Sequence, residues 1–186
     1  MSDTIEQPSA RAARSVIRRE PEPSALRAYG YGLALVVFVL DQIVKFWIIE
    51  EVELQGRGFI EMLPFFNLTW VENRGVSMGM LTADGDLGRW LLVALTAAIT
   101  VGVAVWVWRE RSRLDVTALG LVLGGAIGNI VDRIRFGYVV DFLHFFWGEW
   151  DFYVFNVADA AITVGVILLL LRAVLRSDKP AKAESE

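Results

Sequence analysis

A chain of 186 residues that is 55% hydrophobic, with a mean hydropathy of +0.46, is more apolar than an ordinary globular domain, where the apolar share is about 45–50%. Its apolar residues stand in blocks between polar stretches, the distribution of a membrane protein. No cysteine and a single histidine, His144, exclude disulfides, thiolate catalysis and a Cys- or His-rich metal centre, and a net charge of −4 argues against nucleic acid as a partner.

In chain order, residues 1–27 are polar, contain Pro21 and Pro23, and read as a disordered tail. Four segments then offer about the 20 apolar residues that a bilayer crossing needs: 29–49, 90–108, 116–134 and 154–174. The first is too long for a removable signal peptide and no small-x-small cleavage site follows it, so it reads as a retained span. Lys and Arg in the flanks set the orientation. Arg11, Arg14, Arg18, Arg19 and Arg27 precede the first span; Arg109, Arg111 and Arg113 join the second to the third; Arg172, Arg176, Lys179 and Lys182 flank the fourth. The other two connections are acidic, with Glu50, Glu51, Glu53, Glu61, Glu72, Asp84 and Asp86 in one and Glu149 and Asp151 in the other. Both termini are therefore expected in the cytoplasm and both acidic connections outside. Trp47, Trp90 and Trp147 near the outer ends, with Trp106 and Trp108 near an inner end, fit an aromatic belt.

The connection 50–89 is too long for a plain loop. The β-formers of 59–70 predict a short antiparallel sheet at the membrane surface, a β element within about 50–75, and the apolar run 76–81 predicts a short interfacial helix. The expected architecture is an all-α integral membrane protein: four transmembrane helices within 28–176, a small extracytoplasmic β-sheet, and a cytoplasmic C-terminal tail over 177–186.

An ionisable residue inside a span costs a few kcal/mol or more, which makes it a candidate for function. Asp41, Lys45, Asp132, Arg133 and Asp159 lie within or at the ends of spans, and Asp141 follows the third. All six fall on the expected outer side, as they would around a site built into a helix bundle. Asp41 and Lys45, four apart, share a helix face: they are either an ion pair that eases burial or members of the site. Gly120, Gly124, Gly128 and Asp132 repeat every four residues, a smooth stripe for a close helix neighbour that aims Asp132 into the bundle. Arg133 beside it is the obvious counter-ion, the alternative being that Asp132 is a catalytic acid. Asn129 and Arg133 share the neighbouring face. Asn156, Asp159 and Thr163 share a face at the start of the fourth span, where Asn156 can cap the helix.

Asp141 and Asp159 have no cation at helical spacing. Two such carboxyls at one depth either share a proton as acid and base or each find Arg133, Arg135 or Lys45. Asn73-Arg74-Gly75 reads as a turn, and His144, among Phe142, Phe145, Phe146 and Trp147, as an interfacial packing residue. Ser77 with Lys45 offers a rival nucleophile pair. A non-enzymatic carrier is a third reading, disfavoured because the buried charges do not continue to the other side of the bilayer.

Five stretches, in order, resemble the lipoprotein signal peptidases (signal peptidase II): Asp41-Gln42-Ile43-Val44-Lys45; Asn73-Arg74-Gly75-Val76-Ser77; the run from Gly124 and Gly125 through Asn129 to Asp132-Arg133; Val139-Val140-Asp141-Phe142; and Phe155-Asn156-Val157-Ala158-Asp159. The resemblance covers about residues 29–172 and implies a membrane aspartyl peptidase of the bacterial inner membrane. It implies Asp141 and Asp159 as catalytic, with Asp41, Lys45, Asn73, Gly75, Gly125, Asn129, Asp132, Arg133, Asn156 and Ala158 shaping or supporting the site. Met78 stands where the family often has Phe. The implied substrate is a prolipoprotein whose lipobox cysteine carries diacylglycerol, cleaved just before that cysteine and held against membrane lipid. No metal or other cofactor is implied, and a monomer is expected to suffice.

Overall fold

The computed structural model describes residues 22–75 and 86–177. The interfacial helix expected over 76–81, with Ser77 and Met78, lies outside them, as do most of the two tails.

Among the described residues, four helices are long and apolar enough to cross a membrane. Helix α1 (Pro23–Phe46) continues through a π-helical turn, Trp47–Glu51. It starts earlier than the hydropathy suggests. Pro23 is not a tail residue but occupies the start of the helix, where its missing N–H and fixed φ are no handicap. A short helix α2 (Leu54–Arg57) follows. The other spans are α3 (Asp86–Arg109), α4 (Arg113–Arg135) and α5 (Val157–Ser177). Ser112 caps α4, its hydroxyl accepting from the Asp115 N–H at 3.4 Å.

Helix α4 is the centre of the bundle. In its most apolar stretch 56% of residues are buried, against 28% in the first span, 17% in α3 and 11% in α5. The glycine stripe explains how it gets there. A Cβ on Gly120 would run into Gly30 and Leu33, one on Gly124 into Ala34 and Val37, and one on Gly128 into the Asp41 carboxylate, so α1 is the close neighbour. Gly125, one step round the helix, lets the Ala158 carbonyl of α5 approach in the same way. Outward-facing side chains such as Leu35, Ile43, Leu95, Ile99 and Leu170 remain exposed, an apolar surface suited to lipid.

At one end of the bundle lies a four-stranded antiparallel sheet, in the order β1 (Phe59–Leu63), β2 (Phe66–Asn73), β3 (Val139–Trp147) and β4 (Trp150–Asp151). Its first half is the sheet expected within 50–75. Its second half comes from the other connection, which the sequence reading left unstructured. Ile48, Leu54, Leu68, Val140 and Phe142 form a buried cluster that fastens the sheet to the end of α1. Between Leu68 and Val71 the β2–β3 pairing shifts by one residue, from Leu68 opposite Leu143 to Val71 opposite Asp141. Side chains alternate faces along a strand, so a one-residue shift changes which of them meet. With it Asn73 stands opposite Val139, two residues from Asp141 and on the same face.

Candidate active site

The sheet end of the bundle gathers the buried polar residues. Asp41, Asp132 and Asn156 are fully buried, and Lys45 and Asp141 nearly so. Each owes its position to a local feature of the chain. Asp141 is held by strand β3, and the register shift brings the Asn73 amide to donate to its Oδ2 at 2.9 Å. Asn73 also accepts the Gly75 N–H at 3.2 Å. The Asn-x-Gly turn and the contact to the site are thus one structure, with Gly75 at φ 123°, a conformation that favours glycine.

Phe155 pairs with Leu143 in an isolated bridge, which sets the next residue, Asn156, beside Asp141. The Asn156 amide donates to Asp141 Oδ1 at 2.6 Å and to Asn129 Oδ1 at 3.2 Å. Helix α5 begins at Val157, later than the expected 154, so Asp159 lies in its first turn. Asn156 Oδ1 accepts the Asp159 N–H at 2.9 Å and Asp159 Oδ2 accepts the Asn156 N–H at 3.4 Å, the reciprocal pattern of a capping box. Asp159 Oδ1 accepts from the Asn129 amide at 2.8 Å. Asn156 therefore binds both aspartates, and Asn129 binds Asp159 and Asn156.

The counter-ion of Asp132 is not Arg133. Lys45 Nζ lies 2.7 Å from Asp132 Oδ2 and 2.8 Å from Asp41 Oδ2, so one lysine bridges two carboxylates. Adjacent residues on a helix point in different directions, and Asp132 turns toward α1 while Arg133 does not. The Asp41–Lys45 ion pair read from the sequence is present, with a third member. Gln42, which sequence reasoning passed over, donates to Asp41 Oδ2 at 3.2 Å and Asp132 Oδ1 at 3.1 Å. Arg133 interacts electrostatically with Asp159, Asp141 and Asp132, donates to the Asn129 carbonyl at 3.4 Å, and keeps a buried Nε without a hydrogen-bond partner. Gly125 and Ala158 mark the close contact of α4 with α5 directly beneath these groups.

Burial of the Asp141 carboxyl, together with the charge of Asp159, pushes its pKa up from 3.8 to about 7, although the Asn73 and Asn156 amides and Lys45 pull the other way. At neutral pH this carboxyl is poised to hold a proton. Above it a cleft of about 530 Å³ opens, walled on one side by Val71, Asn73 and Gly75 and on the other by Asp151, Phe152 and Tyr153. His144 also lines it, its Nδ1 3.1 Å from the Thr69 hydroxyl, which makes it a wall residue of the sheet. The arrangement offers, at the foot of an open cleft, a carboxyl that holds its proton up to near neutral pH, with the charge of a second acid, Asp159, acting on it.

The family model described as signal peptidase (SPase) II matches residues 33–175. The chain is similar to the lipoprotein signal peptidase of Rhizorhabdus wittichii, at 58% identity over 86% of this chain and 93% of the relative. It is similar also to that of Sphingopyxis alaskensis, at 48% identity over 85% and 92%. Among solved structures, a bacterial membrane enzyme determined by the in meso method superposes with a TM-score of 0.71 at 26% identity, covering 86% of this chain and 95% of the other.

Proposed function

The chain belongs to the signal peptidase II family and is a membrane-embedded protease, and we propose that it is an aspartyl endopeptidase with Asp141 and Asp159 as its catalytic pair. The single observation that carries this reading is that Asn156 links Asp141, at the foot of the cleft, to Asp159, with burial and the Asp159 charge raising the Asp141 carboxyl to about 7. Like charges at close quarters cannot both ionise, so the pair holds one proton between acid and base.

In the proposed mechanism Asp159, at the N-terminal end of α5, takes a proton from water as the water oxygen attacks the scissile carbonyl carbon. Asp141 gives its proton to the carbonyl oxygen. The tetrahedral intermediate collapses with proton transfer to the amide nitrogen, the C–N bond breaks, and the shared proton is restored. Asn129, Asn156 and Asn73 hold the two carboxyls in register. The Ser77–Lys45 alternative is disfavoured by Lys45 itself, whose donors are engaged by Asp41, Asp132 and, at 3.5 Å, Asn129.

The substrate in this reading is a prolipoprotein whose lipobox cysteine already carries diacylglycerol, cleaved just before that cysteine. A site where the apolar helices meet the sheet suits it, because acyl chains can stay in lipid while the peptide enters the cleft. The placement follows the arginine pattern: bacterial inner membrane, both termini cytoplasmic, sheet and site at the outer face. The deciding experiment is cleavage of a diacylglyceryl-modified prolipoprotein by the purified protein in detergent. Cleavage before the cysteine, retained by Ser77→Ala, supports the reading; loss of activity in Ser77→Ala moves it to the serine mechanism. In intact cells a cysteine placed at Ala83 should react with an impermeant thiol reagent and one at Ser112 should not, and the reverse would invert the topology.

A further inference from the structure

The lysine bridge reaches beyond its own side chains. Asp41 Oδ1 accepts the backbone N–H of Ala158 at 2.9 Å, and Asp132 Oδ2 accepts the backbone N–H of Val140 at 3.2 Å. Ala158 immediately precedes Asp159, and Val140 immediately precedes Asp141. Each carboxylate of the bridge therefore grips the residue before one of the two aspartates, and Lys45 ties the grips together. The Gln42 amide, donating to both carboxylates, is a second tie. Asp41, Asp132, Val140 and Ala158 are all fully buried.

The geometry points to Asp41 and Asp132 as positioning residues, Asp41 for Asp159 and Asp132 for Asp141, with Lys45 setting the distance between the two. Two buried carboxylates with one lysine are a poor way to obtain stability alone, since well-packed apolar residues often serve as well. They do something apolar residues cannot. They fix one point of strand β3 and one point of helix α5 to a common cation on α1. Asp141 and Asp159 come from different elements, which also meet through the Asn156 side chain and the Leu143–Phe155 bridge, and the lysine bridge adds a third anchor on α1. Misplacement of reacting groups by about 1 Å can cost roughly 10²-fold in rate. A device that sets their spacing therefore acts on turnover more than on substrate binding.

The inference rests on Asp141 and Asp159 being the catalytic pair, and its test separates the two. At positions 41 and 132, Asn retains an oxygen that can accept the backbone N–H, whereas Ala removes it; both remove the charge. The full-length variants Asp41→Asn, Asp41→Ala, Asp132→Asn and Asp132→Ala are purified in detergent and their folded fraction is measured by thermal unfolding. Each is then assayed on diacylglyceryl-modified prolipoprotein, with Asp141→Asn alongside. Positioning predicts kcat per folded molecule down by roughly 10²-fold in the Ala variants and by three- to tenfold in the Asn variants, with KM within about threefold throughout. Equal kcat for Asn and Ala at either position, or a folded Ala variant with unchanged kcat, overturns the proposal. If the Ala variants do not fold, the Asn pair decides: a kcat loss at constant KM supports positioning, and unchanged kcat shows the carboxylates to be structural only. Substantial turnover by Asp141→Asn would instead remove the catalytic pair itself, whatever the bridge variants do.

Discussion

Both ends of the bundle bury charge, and they do so in opposite ways. Away from the sheet, Arg172 on α5 meets Asp115 on α4 at 3.0 Å and also donates to the Ser112 hydroxyl that caps α4. One cation answers one carboxylate, and the pair ties two helices together. At the sheet end four carboxyls, Asp41, Asp132, Asp141 and Asp159, gather around Lys45 and Arg133. Lys45 is spent on Asp41 and Asp132. The surplus of acid falls on Asp141, whose two oxygens accept from the neutral amides of Asn73 and Asn156. A balanced pair contributes to assembly, whereas an unbalanced cluster keeps a proton within reach of a cleft. On the proposed function, the second arrangement is tolerated because it serves chemistry.

The comparison breaks most visibly in turnover. Asp141→Asn and Asp159→Asn should each reduce kcat by about 10³-fold or more, since the amide cannot exchange a proton, and the double variant should be no slower than either single. Asp115→Asn, at the other end, should leave kcat per folded molecule within about threefold, as steady-state assays would show. The next effect is on stability against pH. Asp141 has a folded pKa of about 7 against an ordinary 3.8, so the folded state binds the extra proton between those values. The stability it supports is fully present below about pH 4 and is lost as pH rises through about 7, on the order of 2–4 kcal/mol in all. Asp141→Asn should abolish that slope, and above pH 8 the inactive variant should melt higher than the wild type. The smallest effect belongs to the balanced end. Arg172→Ala, which strands a largely buried carboxylate but at a partly exposed pair, should cost about 1–3 kcal/mol in thermal unfolding while sparing turnover.

The four spans were legible because a bilayer demands about 20 apolar residues and the chain supplies them in blocks. The glycine stripe was legible because small residues every fourth position can only make a smooth face; that α1 lies against it was not. Strand β3 was missed, although β-branched and aromatic residues between Gly137 and Gly148 carry the signal. From the sequence, Asp141 is placed only as following the third span. The partner of Asp132 was misread because sequence offers only local counter-ions, and Lys45 is far away in the chain. The capping box depends on where α5 starts, at Val157 and not at 154, and a boundary three residues early hides the reciprocal bonds between Asn156 and Asp159. The β2 register shift that delivers Asn73 to Asp141 has no sequence signature at all.

The claim on which the rest depends is that Asp141 must hold a proton for catalysis. The pH dependence of kcat/KM for the wild-type enzyme on diacylglyceryl-modified prolipoprotein, normalised to the folded fraction at each pH, reports it directly, because this ratio follows the ionisations of the free enzyme. It should fall above about pH 7, approaching tenfold per unit, as Asp141 loses its proton. A ratio that stays flat or climbs to pH 9 would contradict the account.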